Sequence, residues 1–138
     1  MKMTLTNLEI FEQLDELVKD LLWMSESDYP FEVFIWEFGE EISLNNEIVL
    51  KITKHSLETT VKVIEFEVFF RLVIREKDWH NAEEYEVVRK YQKLVSMMKQ
   101  YLSDLKVYKV GEVRKDVYIV GKTNTGDYAG IATVSIET

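Results

Sequence analysis

The sequence of 138 residues contains no cysteine and only one proline, Pro30. Without cysteine the chain has no disulfide framework, no thiolate nucleophile and no cysteine-based zinc site. It also lacks the roughly 20 consecutive apolar residues of a membrane-spanning helix, and its first residues lack the apolar run of a signal peptide. We therefore expect a single soluble, cytoplasmic domain over residues 1–138 that folds without a disulfide or a bound metal.

Positive charge is scarce as well. The chain has 17 Lys and Arg against 25 Asp and Glu, a net charge of −8. Proteins that bind phosphate backbones need Lys and Arg to displace counterions, so this balance argues against direct binding to nucleic acid or to an anionic membrane. A partner with a basic surface is favoured instead, and acidity that serves only solubility is the alternative.

Motifs for catalysis are missing too. The two histidines, His55 and His80, lie in separate polar segments without the spacing of metal ligands. No Gly-x-Ser-x-Gly motif presents a serine nucleophile, and no glycine-rich loop suits a phosphate. The sequence therefore predicts a protein that is not an enzyme and has no cofactor and no metal of its own. An Asp78/His80 pair acting with a serine stays open as an alternative.

Apolar residues at three- and four-residue steps predict two long helices. The first spans residues 6–24 and begins with Thr6 and Glu9 in the positions of a capping box. The second spans residues 82–103, with Asn81 as its N-cap. The other predicted elements are a helix or strand over 47–53, a strand over 61–64, a short helix over 65–74, and strands over 107–113, 117–122 and 128–136.

The run that follows Pro30 is predominantly apolar. From Phe31 to Trp36 the run is apolar on both alternating faces, with Glu32 as its one charge, which is typical of a strand covered on both sides and predicts a central strand over 31–37. Helices on both faces of such a sheet give a three-layer α/β/α sandwich. The predicted fold class is therefore α+β, with a mixed, mostly antiparallel sheet.

Two polar segments place acids and an aromatic side chain where a partner could contact them. Glu26 lies in the turn at the predicted end of the first helix, and Asp78 and Trp79 lie in the charged segment before the second. One interpretation is a small protein-binding surface with a tryptophan anchor and acids that face basic groups. The alternatives are a Trp79 side chain folded into the core and a Glu26 that only caps a solvated turn.

The run from Leu21 to Glu37, LLWMSESDYPFEVFIWE, closely resembles the signature of the nuclease A inhibitor family, bacterial proteins that block a sugar-non-specific, magnesium-dependent ββα-metal nuclease. The resemblance covers nearly the whole chain. Its further segments are Glu47–Leu50, Phe69–Phe70, Asp78–Trp79, Gln92–Leu94, Val107–Tyr108, Gly111–Val113, Asp116–Tyr118, Ala129–Ile131 and Glu137–Thr138.

The resemblance implies a PR-1-like sandwich and an inhibitor that is monomeric when free and plugs the nuclease active site in a one-to-one complex. It implies that Glu26 faces a basic side chain of the nuclease and that Asp78 and Trp79 form a second contact patch. It also implies that the α-carboxylate of Thr138 reaches the catalytic magnesium. Two alternatives are an acidic adaptor for an unrelated basic protein and, by fold analogy alone, a small-molecule binder or hydrolase.

Overall fold

The computed structural model describes residues 4–38, 42–77 and 80–138. These parts of the chain contain four helices and seven strands. In chain order they are α1 (Asn7–Val18), β1 (Leu22–Met24), β2 (Asp28–Pro30), β3 (Glu32–Trp36), α2 (Asn46–Ile52), β4 (Val61–Glu65), α3 (Phe66–Phe70), α4 (Ala82–Tyr101), β5 (Ser103–Val110), β6 (Arg114–Lys122) and β7 (Tyr128–Ile136).

Both predicted helix starts are confirmed by reciprocal hydrogen bonds. The Thr6 hydroxyl accepts from the Glu9 amide at 3.2 Å, and the Glu9 carboxylate accepts from the Thr6 amide at 3.1 Å. At α4 the Asn81 side chain accepts from the Glu84 amide at 2.8 Å, and Glu84 accepts from the Asn81 amide at 3.2 Å. Each capping box satisfies donors that a helix start otherwise leaves unpaired.

The main sheet has five strands in the order β3-β7-β6-β5-β4, and β1 and β2 form a separate two-stranded hairpin. The three predicted strands in the last third of the chain are confirmed, with β5 beginning four residues before the predicted 107 at Ser103. Every pairing within the described residues is antiparallel, so the predicted mixed character of the sheet is wrong. The fold class, α+β, is confirmed.

Apolar clusters occupy both faces of the five-stranded sheet. Neighbouring strand residues point to opposite faces, so Val107 belongs to the cluster that contains α1, α3 and α4, whereas Tyr108 belongs to the cluster that contains α2. Val49 and Leu50 of α2 are 0% and 4% exposed in that second cluster. The segment 47–53, which the pattern left as helix or strand, is thus a helix that covers the second face.

The predicted first helix extends too far. The observed helix α1 ends at Val18. The last residues of the predicted helix form β1 instead, which pairs with β2 in the register Trp23 to Tyr29. Leu21 is buried and Trp23 is half-buried, while Leu22 and Met24 are 48% and 68% exposed. This alternation is that of a strand, and over so short a run it also satisfies helical spacing. The acidic turn therefore joins two strands, not a helix and a strand.

The prediction of a central strand after Pro30 is also wrong. Strand β3 lies at the edge of the sheet and pairs only with β7 among the described residues. Its apolar character has another cause. Val33 and Ile35 pack against the α1 side, whereas Phe34 and Trp36 pack against the α2 side. Both faces of this edge strand are covered, so its residues are as apolar as those of a central strand. The predicted short helix over 65–74 is likewise confined to Phe66–Phe70.

None of the helices in the described parts of the chain combines the length and hydropathy needed to cross a membrane.

The turn between β5 and β6 requires glycine. Gly111 has φ +121°, and a Cβ there would lie 2.3 Å from the Arg114 carbonyl oxygen. Gly126, in the turn before β7, has φ +89° but no atom within 4 Å of a Cβ. We expect Gly111→Ala to lower the free energy of unfolding by about 2 kcal/mol, since strain and overlap add, and Gly126→Ala by about 1 kcal/mol from strain alone. Urea unfolding of the two variants measures both values, and equal losses would contradict the overlap at Gly111.

Candidate functional site

The tip of the β1–β2 hairpin positions Glu26. The Ser25 hydroxyl donates to the Ser27 carbonyl at 2.9 Å, and the Ser25 amide donates to the same oxygen at 3.3 Å. These bonds close a tight turn, because a short hydroxyl side chain can satisfy nearby backbone groups. Glu26 stands at the apex of this turn with its side chain exposed.

The last three residues of the sequence run between two turns. On one side the Ile136 amide donates to the Ser25 hydroxyl at 3.0 Å, and the Glu26 amide donates to the Ile136 carbonyl at 3.4 Å. On the other side the Glu137 amide donates to the Val113 carbonyl, in the turn after β5, at 2.9 Å. Successive amides thus bond to opposite sides, as they do in the middle strand of a sheet.

Glu26 holds Thr138 with both carboxylate oxygens. The Thr138 amide donates to Oε2 at 2.9 Å, and the Thr138 hydroxyl donates to Oε1 at 2.6 Å. Hydrogen bonds to an ionised carboxylate are shorter and stronger than neutral ones. Two residues that are 112 positions apart in the sequence, and that the family resemblance assigns to the partner-binding surface, therefore form one exposed contact.

Glu137 is anchored on the inner side of the same segment. Its Oε2 accepts from Lys109 Nζ at 2.6 Å and from the Ser135 hydroxyl at 2.7 Å, and its Oε1 lies 3.6 Å from Lys115 Nζ. The lysine side chains are 13% and 18% exposed, and that of Glu137 is 35% exposed. We call Glu137, Lys109, Lys115 and Ser135 the Glu137 anchor.

Trp23 connects this anchor to the core. Its indole N–H donates to the Ser135 hydroxyl at 3.4 Å, and Ser135 is 2% exposed. The indole ring stacks on Phe69 with a centroid separation of 4.2 Å, and Lys109 Nζ lies 5.9 Å from the centre of the Phe69 ring. The polar anchor thus rests on packed aromatic rings, which restrict the positions that its ionic groups can take.

Opposing effects act on the pKa of Glu137. Burial alone would raise it, but hydrogen bonds from Lys109 and Ser135 and the charges of Lys109 and Lys115 outweigh burial, so the pKa lies below its ordinary value of 4.5. A carboxyl whose pKa is lower in the folded state contributes stability above its unfolded pKa, and this contribution disappears as pH falls through the folded pKa.

We therefore expect acid to remove the stability that Glu137 contributes. Above about pH 5, the intact chain should have a higher free energy of unfolding than Glu137→Gln, and the difference should shrink steadily towards pH 3. Urea unfolding of both proteins at pH 7, 5, 4 and 3 measures it. Because other carboxylates titrate equally in the two proteins, only the difference reports Glu137. A difference that is constant with pH would contradict the ionic role.

Exposed apolar side chains flank the contact between Glu26 and Thr138. Met24, two residues before Glu26, is 68% exposed, and Val113, whose carbonyl accepts from the Glu137 amide, is 52% exposed. Exposed apolar groups next to charged ones are typical of surfaces that bind protein partners. The region therefore combines an acidic centre with apolar margins.

Of the four site residues predicted from the sequence, two lie within the described residues. The structure brings Glu26 and Thr138 together, whereas Asp78 and Trp79 lie outside the described residues. The alternative of an Asp78/His80 pair depends on Asp78 and stays a prediction. His80 accepts at Nδ1 from the Lys77 amide at 3.3 Å.

The other histidine has a partner that the sequence did not suggest. His55 Nε2 lies 2.8 Å from an Asp116 oxygen, and His55 Nδ1 lies 2.7 Å from the Thr53 hydroxyl. That hydroxyl also donates to the Val49 carbonyl at 2.6 Å, which ties it to the end of α2. The arrangement links α2 to β6. In the described parts of the chain, no three His, Cys, Asp or Glu side chains are grouped as metal ligands.

Sequence reasoning missed the Glu137 anchor, although a signal for it exists. Lys109 lies on the same strand face as buried Val107, and Ser135 lies on the same face as buried Ile131. A polar residue at a core-facing strand position needs a partner, because burial of an unpaired charge or hydroxyl is costly. Two such residues near strand ends would have indicated a buried polar network, but not its other members, Glu137 and Lys115.

A comparison with family models matches residues 8–138 to a family described as nuclease A inhibitor-like protein. No curated protein matches the chain.

Proposed function

Since this chain belongs to the nuclease A inhibitor-like family, whose members are inhibitors and not enzymes, we propose that it inhibits a sugar-non-specific, magnesium-dependent ββα-metal endonuclease that cleaves DNA and RNA. The chain occludes the nuclease active site in a one-to-one complex. It contributes no metal of its own and contacts the metal of its partner.

The contact between Glu26 and Thr138 carries the proposal. It joins the Glu26 carboxylate to Thr138, the residue whose α-carboxylate the proposal uses, at one exposed point between two turns. Carboxylate oxygens are hard ligands of the kind that magnesium prefers, as are the phosphate oxygens they would replace. Thr138 therefore contacts the catalytic magnesium of the nuclease, and Glu26 faces a basic side chain beside it.

Charge supports the same partner class. A nuclease that attracts nucleic acid has a positive active-site cleft, and a chain of net charge −8 is complementary to it. Asp78 and Trp79 form the second contact patch in this proposal, with the indole as an apolar anchor.

The proposal also covers the cellular location, the oligomeric state and the layer arrangement of the chain. The chain is a bacterial, cytoplasmic protein, monomeric when free, and its helices and sheet form a PR-1-like three-layer sandwich. Helices on both faces of the five-stranded sheet support the layered arrangement.

Inhibition of a purified ββα-metal nuclease tests the proposal. We expect the chain to block cleavage of both DNA and RNA at a one-to-one ratio and to form a complex with the mass of one copy of each protein. An acidic protein could also lower activity by sequestering magnesium, so the assay is repeated at several magnesium concentrations. Inhibition that excess magnesium relieves would point to sequestration of the metal and contradict the proposal, whereas a chain that binds a basic protein without slowing any such nuclease would favour the acidic adaptor.

A further inference from the structure

The residue next to Thr138 has a role that follows from the geometry of the Glu137 anchor. We propose that Glu137 is a positioning residue that fixes Thr138 in its binding geometry before any partner arrives. This inference rests on the proposed function for its consequence in inhibition, although the ordering of Thr138 can be measured without a partner.

Alternation along the extended chain explains how Glu137 acts on its neighbour. Ser135 is buried and Glu137 is half-buried, and the Ser135 hydroxyl donates to the same Glu137 oxygen that accepts from Lys109. Side chains of successive extended residues point to opposite sides, so an inward Glu137 turns Thr138 outward, where it is exposed. The direction of Thr138 is thus set by the side chain that precedes it.

The strength of the anchor comes from its burial and its charges. Two ammonium groups, those of Lys109 and Lys115, face the one carboxylate of Glu137 from two different strands. The lysine side chains are mostly removed from solvent, and ion pairs of this kind are screened less than exposed ones. Any movement that withdraws the Glu137 carboxylate leaves Lys109 without its ionic partner. The end segment that contains Glu137 and Thr138 therefore strongly prefers the conformation in which the Glu137 anchor is formed.

Order before binding has a direct consequence for affinity. Chain ends are ordinarily mobile, and a group that must be ordered on binding weakens association. The Glu137 anchor and the two bonds from Thr138 to Glu26 remove most of that freedom in the unbound chain. Thr138 is therefore already ordered before it binds its partner, so little ordering cost reduces the affinity.

The first experiment measures order in the free protein. The ¹H–¹⁵N heteronuclear NOE of the Thr138 amide should have the value of rigid backbone in the intact chain and fall to that of a flexible end in Glu137→Gln. Glu47→Gln is the matched control, because Glu47 is also paired with a lysine, Lys51, but lies on α2. An unchanged NOE in Glu137→Gln would overturn the proposal.

A second variant covers the case in which Glu137→Gln does not fold. Lys115→Gln removes only the longer contact, that of 3.6 Å, and leaves the bonds to Lys109 and Ser135. We expect a smaller fall in the Thr138 NOE with an unchanged circular dichroism spectrum. Where Glu137→Gln does not fold, an unchanged Thr138 NOE in Lys115→Gln would overturn the proposal.

The final experiment separates positioning from a general structural role. In the complete chain, Glu137→Gln should weaken nuclease inhibition about tenfold or more. In a chain that lacks Thr138, the same substitution should change inhibition less than about twofold, because nothing remains to be positioned. Equal losses in both backgrounds would overturn the proposal. If the unaltered chain does not inhibit at all, the proposed function fails, while the NOE result still decides the ordering role.

Discussion

Removal of Thr138 is expected to weaken nuclease inhibition about a hundredfold or more, which corresponds to about 2.8 kcal/mol. In the proposed complex this residue supplies the carboxylate that contacts the catalytic magnesium, and the loss of a central, desolvated contact is characteristic of a binding hot spot. A short C-terminal extension should have an effect of similar size, since it converts the carboxylate into an amide and adds bulk in the cleft. Titration of a purified nuclease with the three forms of the chain measures both effects.

Stability serves as the control for both altered forms. Thr138 is exposed and its side chain and amide donate only to the carboxylate of exposed Glu26 among the described residues, so its removal should leave the unfolding midpoint almost unchanged. Weak inhibition together with a normal midpoint then reports a lost contact and not a damaged fold. Equal inhibition by all three forms would keep the inhibitor class and discard contact with the metal.

Substitution of Glu26 by alanine should cost on the order of 2–5 kcal/mol of binding, or about thirtyfold to several thousandfold in Kd. In the proposed complex the variant loses a carboxylate that faces a basic group of the nuclease, and that group then stays buried without its partner. It also loses both hydrogen bonds that hold Thr138. The dissociation constant from nuclease inhibition measures the combined loss of the charge pair and of the hydrogen bonds to Thr138.

Two comparison variants separate these contributions. Asp28→Ala removes one exposed acid from the same hairpin without touching Thr138, so it reports the general effect of charge. Glu26→Gln removes the charge but keeps one oxygen that accepts from Thr138, so a loss as large as that of Glu26→Ala points to the charge. A change of only a few tenths of a kcal/mol in Glu26→Ala would remove this residue from the interface.

Local patterns predicted the elements whose causes are local. The predicted capping box at Thr6 and the predicted N-cap at Asn81 involve partners three residues away, and both are present. The strands of the last third alternate and are separated by turn residues, and all three are present. In each case the residues that define the element also lie within it or beside it.

Patterns failed where two structures satisfy the same spacing. Leu21 and Leu22 fit one face of a helix, yet pairing of β1 with β2 places Leu22 at the surface and Leu21 in the core. The prediction that β3 is a central strand failed for a related reason. Burial of a strand on both faces makes its residues apolar whether or not it has a neighbour on each side, and the order of strands in a sheet is not a property of one segment.

In the candidate site, too, the sequence predicted some residues but not the contacts between them. Glu26 was named from its polar turn and Thr138 through the family resemblance, but nothing along the sequence places two residues 112 positions apart in contact. Glu137, Lys109 and Ser135 were missed, because a polar network exists only once β5 and β7 lie side by side with the Trp23 hairpin. Pairing at long range is a tertiary property.

The sequence by itself determined the fold class, the family, the acidic character and the helix starts, since composition and contacts within a few residues decide these. Only the tertiary structure decided that the acidic turn is a hairpin tip, that β3 is an edge strand, that Thr138 bonds to Glu26 and that Glu137 pairs with Lys109. The physical reason is that hydrogen bonds and ion pairs between distant segments depend on how packed elements bring them together, which local spacing does not specify.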